Sequence, residues 1–346
     1  MAYTTINKST NYFDTSTWTA TTNSISNLNF SPDWVWIKST DTANGHILFD
    51  TIRGANKRLT TASGAAEATV TDELMSFDSN GYTLGSSGNT NDTSPSNASY
   101  VGWSWRGSDS SAASNSDGSI TSTVSANTTA GFSIVKWTGT GANATVGHGL
   151  GAVPKMIIVK DTDASDNWNV YHASIGNDSH LHLNLNFAAS GSSIYWQDTT
   201  PTNSVFYIGS DSAINASGNE FIAYCFSDVA GFSKFGSYTG NGNADGPFIY
   251  TGFKPAFIMI KMTSSTDNWI IQDNKRNTSN ISTSQRLRAN SNNAEFSSSN
   301  PIDLYSNGFK AMSGSDGEFN GNGSTYIYMA FGQSLVGSNN VPVTAR

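Results

Sequence analysis

Short runs of alternating apolar residues, separated by Gly, Asn, Asp, Ser and Thr, recur along the whole chain. In residues 34–38 (WVWIK), Val35 and Ile37 fall on one side, and Trp34, Trp36 and Lys38 fall on the other. The same arithmetic sets Ile157 and Val159 against Met156, Ile158 and Lys160, and Ile258 and Ile260 against Phe257, Met259 and Lys261. Both faces are apolar up to the terminal lysine, which predicts strands covered on both sides. Pro32, Pro154 and Pro255 precede these runs, where a missing N–H breaks no ladder bond. Fourteen residues after each proline stand His46, Trp168 and Trp269. Asn44-Gly45, Asp166-Asn167 and Asp267-Asn268 lie just before them as turn signals, so residues 46–50, 168–172 and 269–273 should return as the second arm of a hairpin.

A further alternating run ends each unit: residues 100–105 (YVGWSW), 221–226 (FIAYCF) and 326–331 (YIYMAF). Val101, Trp103 and Trp105, then Ile222, Tyr224 and Phe226, then Ile327, Met329 and Phe331, form its bulky face and predict its core side. The spacing from lysine to this run is 62, 61 and 65 residues, which marks copies of one unit. Units two and three also share Gly131-Phe132-Ser133 and Gly231-Phe232-Ser233, and a looser version surrounds Trp18-Thr19. Residues 72–77 are the nearest candidate for a helical turn. Seven or eight short strands per hundred residues fit a two-sheet arrangement. The predicted fold is all-β: tandem β-sandwich (jelly-roll or lectin-like) units in three internal repeats. The units span 1–106, 131–230 and 231–346, with 107–130, rich in Ser, Thr, Asn, Ala and Gly, as a linker.

Composition changes this picture in a few respects. Only 13% of residues are charged, yet 12% are aromatic, so the chain has material for several cores and is expected to fold. A net charge of −8, with no Lys/Arg cluster to offset it, argues against nucleic acid as a partner. Cys225 is the single cysteine and sits on the small-residue side of its run beside the equivalent Ser104 and Ala330, a buried filler rather than a nucleophile. The first residues lack the basic start and apolar stretch of an export signal, and no run is long enough to cross a bilayer.

Candidate chemistry is sparse. His180 and His182 have ligand spacing on a strand, but they alternate with Leu181, Leu183, Leu185 and Phe187, which reads as the wet face of a half-buried strand. The Gly-rich segments 139–144 and 240–246 lack the Lys-Ser/Thr of a phosphate loop. Asp166 and Asp267 recur, but at turn positions where Asp bonds its own backbone, not as a pair across a cleft. No catalytic residue, metal site or cofactor is expected. Trp168, Trp269 and Trp196 sit beside polar tips and are the candidate ligand-binding aromatics, with packing across their own hairpins as the alternative.

In combination, PDWVWIK, HILFDTIRGANKRL, SFDSNGYTLGS and YVGWSW resemble the repeated domain of marine bacteriophage tail and fibre virion proteins. STVSANTTAGFSIVKWTGTG, VGHGLGAVPKMIIVK, KFGSYTGNGNADGPFIYTGFKPAFIMIK and the ending VPVTAR are still more similar to it. The resemblance covers essentially the whole chain. It implies a non-enzymatic virion structural protein, assembled in the host cytoplasm, that serves host attachment by multivalent binding. The partners it implies are other virion proteins, host cell-surface polysaccharide and further copies of the chain, with a homotrimer expected by class analogy. Capsid or tail decoration without a receptor role is the first alternative, and a carbohydrate-active enzyme the second.

Overall fold

The computed structural model describes residues 4–334 apart from 21–22, 87–88, 93–97, 109, 281–282, 300 and 315. The VPVTAR ending, 341–346, lies outside the described residues. The fold is all-β and antiparallel, and one strand order occurs three times. In the first unit an opening strand (Phe13–Thr19) pairs with the closing strand (Ser99–Trp105). The closing strand pairs with the lysine strand (Trp34–Ser39), which pairs with the return strand (Ile47–Asp50) and then Lys57–Thr60 and Ala68–Thr69. The second unit repeats this as Phe132–Thr138, Glu220–Phe226, Met156–Asp161, Asn169–His172, Gly176–His182 and Ser190–Gly191. The third has Ser233–Thr239, Thr325–Ser334, Phe253–Met262, Trp269–Asp273, Ser284–Arg288 and Phe296–Ser298.

The hairpin after each lysine strand is present, with the tip drawn as a longer loop. Between Ser39 and Ile47 the chain makes no tight two-residue turn, and neither Asn44 nor Gly45 adopts a positive φ. Residues 72–77, read as a helical turn, instead make a bend at 72–73 that leads into the strand Leu74–Asp78. Pairing with Gly81–Leu84 supplies that segment with partners that an isolated turn lacks. Among the described residues the α-helices are single turns, Ser193–Trp196, Ser212–Asn215 and Gly317–Asn320; the last two are N-capped by Asp211 and Asp316.

Residues 107–130 are not a linker. Ala113–Asn115 and Ser122–Asn127 pair with one another and then with the opening strand of unit two, widening that sheet to eight strands. Ser and Thr at alternate positions satisfy a ladder as well as a tether, and the edge of Phe132–Thr138 offers the unpaired backbone that recruits them.

Each large sheet is covered outside by a small one. Gly81–Leu84 with its neighbours covers unit one, Ala144–Gly147 with Val205–Ile208 covers unit two, and Gly308–Ala311 with its neighbours covers unit three. Val35 and Ile37, Ile157 and Val159, and Ile258 and Ile260 point into these three outer cores. The opposite faces do not find three further partners. Trp34, Trp36, Met156, Ile158, Phe257 and Met259 enter one common core, together with the bulky faces of all three closing strands. Burying three such closing-strand side chains contributes roughly 5–8 kcal/mol per unit before conformational entropy is counted. The described parts of the segments 1–106, 131–230 and 231–346 are therefore not separate globules on a string. They are three walls around one interior, because each inner face is too bulky and apolar to remain wet.

Candidate functional site

The contacts between walls are cyclic. Glu67 N donates to Thr162 O at 2.8 Å, Ala189 N to Thr263 O at 2.9 Å, and Glu295 N to Thr40 O at 2.8 Å. Unit one thus bonds to two, two to three, and three back to one, each time through the threonine two residues after the repeated lysine. Aromatic rings bridge the interior between units: Trp34 stacks on Tyr224 at 4.3 Å, Phe13 on Phe331 at 5.2 Å, and Trp103 meets Phe257 edge-on at 5.7 Å.

The repeated tryptophans belong to this ring. Trp168 is 0% exposed, and its indole N–H reaches the Thr60 carbonyl of unit one at 2.8 Å. Trp269 is 1% exposed and makes the corresponding bond to His182 O of unit two at 2.9 Å. His46 takes this place in unit one, with the Arg288 backbone of unit three beside its ring. Trp196, 2% exposed, lies against Tyr171 in the outer core of unit two. None of the three candidate ligand-binding tryptophans offers a face to solvent. Their polar neighbours mark the junctions between units, which one unit's sequence read alone presents as loop tips.

The lysines that end the apolar runs are buried as well. Lys38 Nζ donates to Ser39 O and Thr42 O, Lys160 Nζ to Asp161 O and Ala164 O, and Lys261 Nζ to Met262 O and, across the junction, Asn186 O. Burial is the main cause that holds each ammonium down, to about 8. Asp166 and Asp267 act as turn residues, accepting from Asn167 N and Asn268 N.

Two buried carboxylates are fully engaged. Asp50 accepts from Ile52 N, Arg53 N, Arg53 Nε at 2.6 Å and, from unit two, Tyr224 OH at 2.8 Å. Asp273 accepts from Lys275 N, Arg276 N, Arg276 Nε at 2.6 Å and, from unit one, Trp103 Nε1 at 3.1 Å. Unit two has His172 instead, whose Nε2 lies 3.3 Å from Tyr328 O of unit three. Burial keeps His172 neutral down to about 4. These groups hold the walls together, and a carboxylate with four donors has no lone pair to spare for acid–base work.

His180 and His182 share a face, with ring centroids 5.0 Å apart, but His180 is buried rather than wet. The strand ends at His182, and the turn Ser193–Trp196 folds Tyr195 over His180 at 3.8 Å. Among the described residues no group of three or more His, Cys, Asp or Glu could hold a metal ion. Cys225 is buried, and burial raises its thiol well above the usual range. No helix among the described residues is long and apolar enough to cross a membrane.

Among the groups that face solvent, two places stand out. Phe248 and Tyr250 are 46% and 58% exposed on the strand Phe248–Tyr250, with Tyr305 edge-on to Phe248 at 5.8 Å. Their alternation with buried Ile249 was available from the sequence but falls outside the repeated motifs. The second place is the junctions between walls. A groove of about 510 Å³ opens between units two and three, lined in part by Ser174, Ser237, Thr239, Thr263 and Thr325. Another of about 530 Å³ opens between units three and one, lined in part by Thr17, Thr19, Thr40, Ser99 and Arg276.

A family described as Domain of unknown function (DUF7483) matches residues 8–334. No curated protein and no solved structure matches the chain.

Proposed function

The chain belongs to the DUF7483 family, a domain of unknown function, and we propose that it is a bacteriophage virion structural protein that attaches the particle to the host surface by multivalent binding. The observation that carries this reading is the ring itself. Three like units are fused around one apolar interior, and shallow grooves lined largely by serine and threonine open at two of the junctions. Such a body suits a rigid support that presents several weak contacts, and copies on one particle multiply those contacts into avidity. The run motifs that resemble phage tail and fibre domains supply the virion context. The recurring Trp168 and Trp269 bond across the junctions between walls, and the recurring lysines are buried at the ends of their strands, Lys261 alone reaching the neighbouring wall. Selection for that assembly explains their repetition without an active site.

Antibody raised against the chain and applied to phage particles in the electron microscope tests the reading. Gold on the tail or fibres, together with blocked adsorption to host cells, is expected. Label confined to the capsid with unimpaired adsorption would instead favour decoration.

A further inference from the structure

The two open grooves occupy the same place in the ring. Thr17, Thr19, Thr40 and Ser99 of unit one correspond by strand register to Ser237, Thr239, Thr263 and Thr325 of unit three. The facing walls correspond too, with Ile175 and Ala189 of unit two standing where unit three has Arg276 and Glu295. The physical origin is visible in the opening strand. Phe13 of unit one points into the common core, but Thr17 and Thr19, on the same face further along, are exposed, so the walls part there and leave a trough.

At the third junction the sequence differs where it matters. Lys136 and Glu220 stand where the open grooves have Thr17 and Ser99, or Ser237 and Thr325, and they pair at 3.0 Å between neighbouring strands of unit two, so that two long charged side chains fill the rim of its wall. Thr138 also donates to Glu220.

We propose that the two open grooves are binding sites for a neutral oligosaccharide chain, and that the Lys136–Glu220 pair closes the third. This deepens the attachment reading above and rests on it. The lining of the groove between units two and three carries no charged side chain. In its counterpart the Arg276 guanidinium is shared between Glu295 at 2.5 Å and the buried Asp273 at 2.6 Å, which leaves no free cation there. Threonine and serine hydroxyls can each donate and accept, which matches the alternating donors and acceptors of sugar hydroxyls. An acidic ligand would enter a groove without a free cation, on a chain of net charge −8, and is disfavoured. Hydroxyl contacts alone give weak affinity per groove, as multivalent attachment requires.

The test titrates the full chain with a panel of neutral gluco-, galacto- and manno-oligosaccharides and their sulfated counterparts, read by ligand-observed NMR and calorimetry. Thr19→Trp and Thr239→Trp each plug one groove at an exposed position, and circular dichroism and Tm confirm that the fold is kept. Saturable binding of a neutral sugar, halved by either plug and abolished by both, is expected. Lys136→Thr with Glu220→Ser should open the third groove and raise the bound stoichiometry by half. Binding unaffected by both plugs, preference for the sulfated sugars, or no neutral sugar bound at all overturns the proposal. Adsorption of labelled chain to host cells separates the two claims. If the doubly plugged protein still adsorbs, only the grooves are wrongly assigned; if the wild-type protein does not adsorb, the attachment reading itself fails.

Discussion

Replacing Trp269 with Ala removes a side chain that is 1% exposed, lies in the common core and bonds across the junction to His182 O. Truncating a buried Trp costs about 3–5 kcal/mol, part of it from leaving the His182 carbonyl without its donor. The size of the resulting melting shift depends on what unfolds together. Unfolding entropy is about 2.1 cal/mol/K per residue. If all 346 residues melt as one body, 1 kcal/mol moves Tm by about 1.4 °C, and a 4 kcal/mol loss lowers it by about 6 °C. If unit three melts alone, as roughly 100 residues, the same loss lowers its own transition by about 20 °C and leaves the other two in place. Differential scanning calorimetry distinguishes these outcomes directly. The shared core predicts one peak displaced by the smaller amount, with calorimetric and van't Hoff enthalpies in agreement. A second peak split off far below an unmoved main transition would refute the single-interior argument.

Other consequences follow from the same contacts. Tyr224→Phe leaves Asp50 without its donor from unit two and should cost about 1–3 kcal/mol by urea denaturation; an unchanged midpoint would show that the cross-wall bond does not matter. His172 is held neutral, mainly by burial and to a lesser extent by Lys155, with its pKa lowered to about 4. The unfolded chain therefore binds the extra proton between about pH 6.5 and 4, so stability is full above that window and falls through it, by about 3 kcal/mol from this group. Urea midpoints at pH 7 and pH 4.5 measure the loss, and His172→Gln should reduce the difference. A fragment of residues 231–346 exposes Phe257, Met259, Ile327, Met329 and Phe331 that the other walls cover. It should bind the dye ANS and aggregate or self-associate in size-exclusion chromatography; a well-behaved monomer with a sharp melt would contradict the shared core.

The lysine strands and closing strands were legible residue by residue. A period of two fixes which side chains share a face, so Val35 and Ile37 were separable from Trp34 and Trp36 before any fold was known. The Ser and Thr of 107–130 were not legible as strands, because polar alternation at a sheet edge has the same composition as a tether. Trp168 and Trp269 were misplaced for a related reason. A tryptophan after an Asp-Asn turn looks exposed when the wall that covers it belongs to another repeat more than 80 residues away. The grooves were invisible for the same cause: Thr17, Thr19, Ser237 and Thr239 are ordinary strand residues until two sheets diverge beside them.

The order of side chains along each strand is local information, carried by backbone geometry, and it specified the hairpins and the two faces of the lysine and closing strands. What those faces meet is a matter of shape and area between distant segments, and burying three bulky inner faces at once is what curled the repeats into a closed triangle. Had each unit found a cover of its own, the identical alternation would have made beads on a thread.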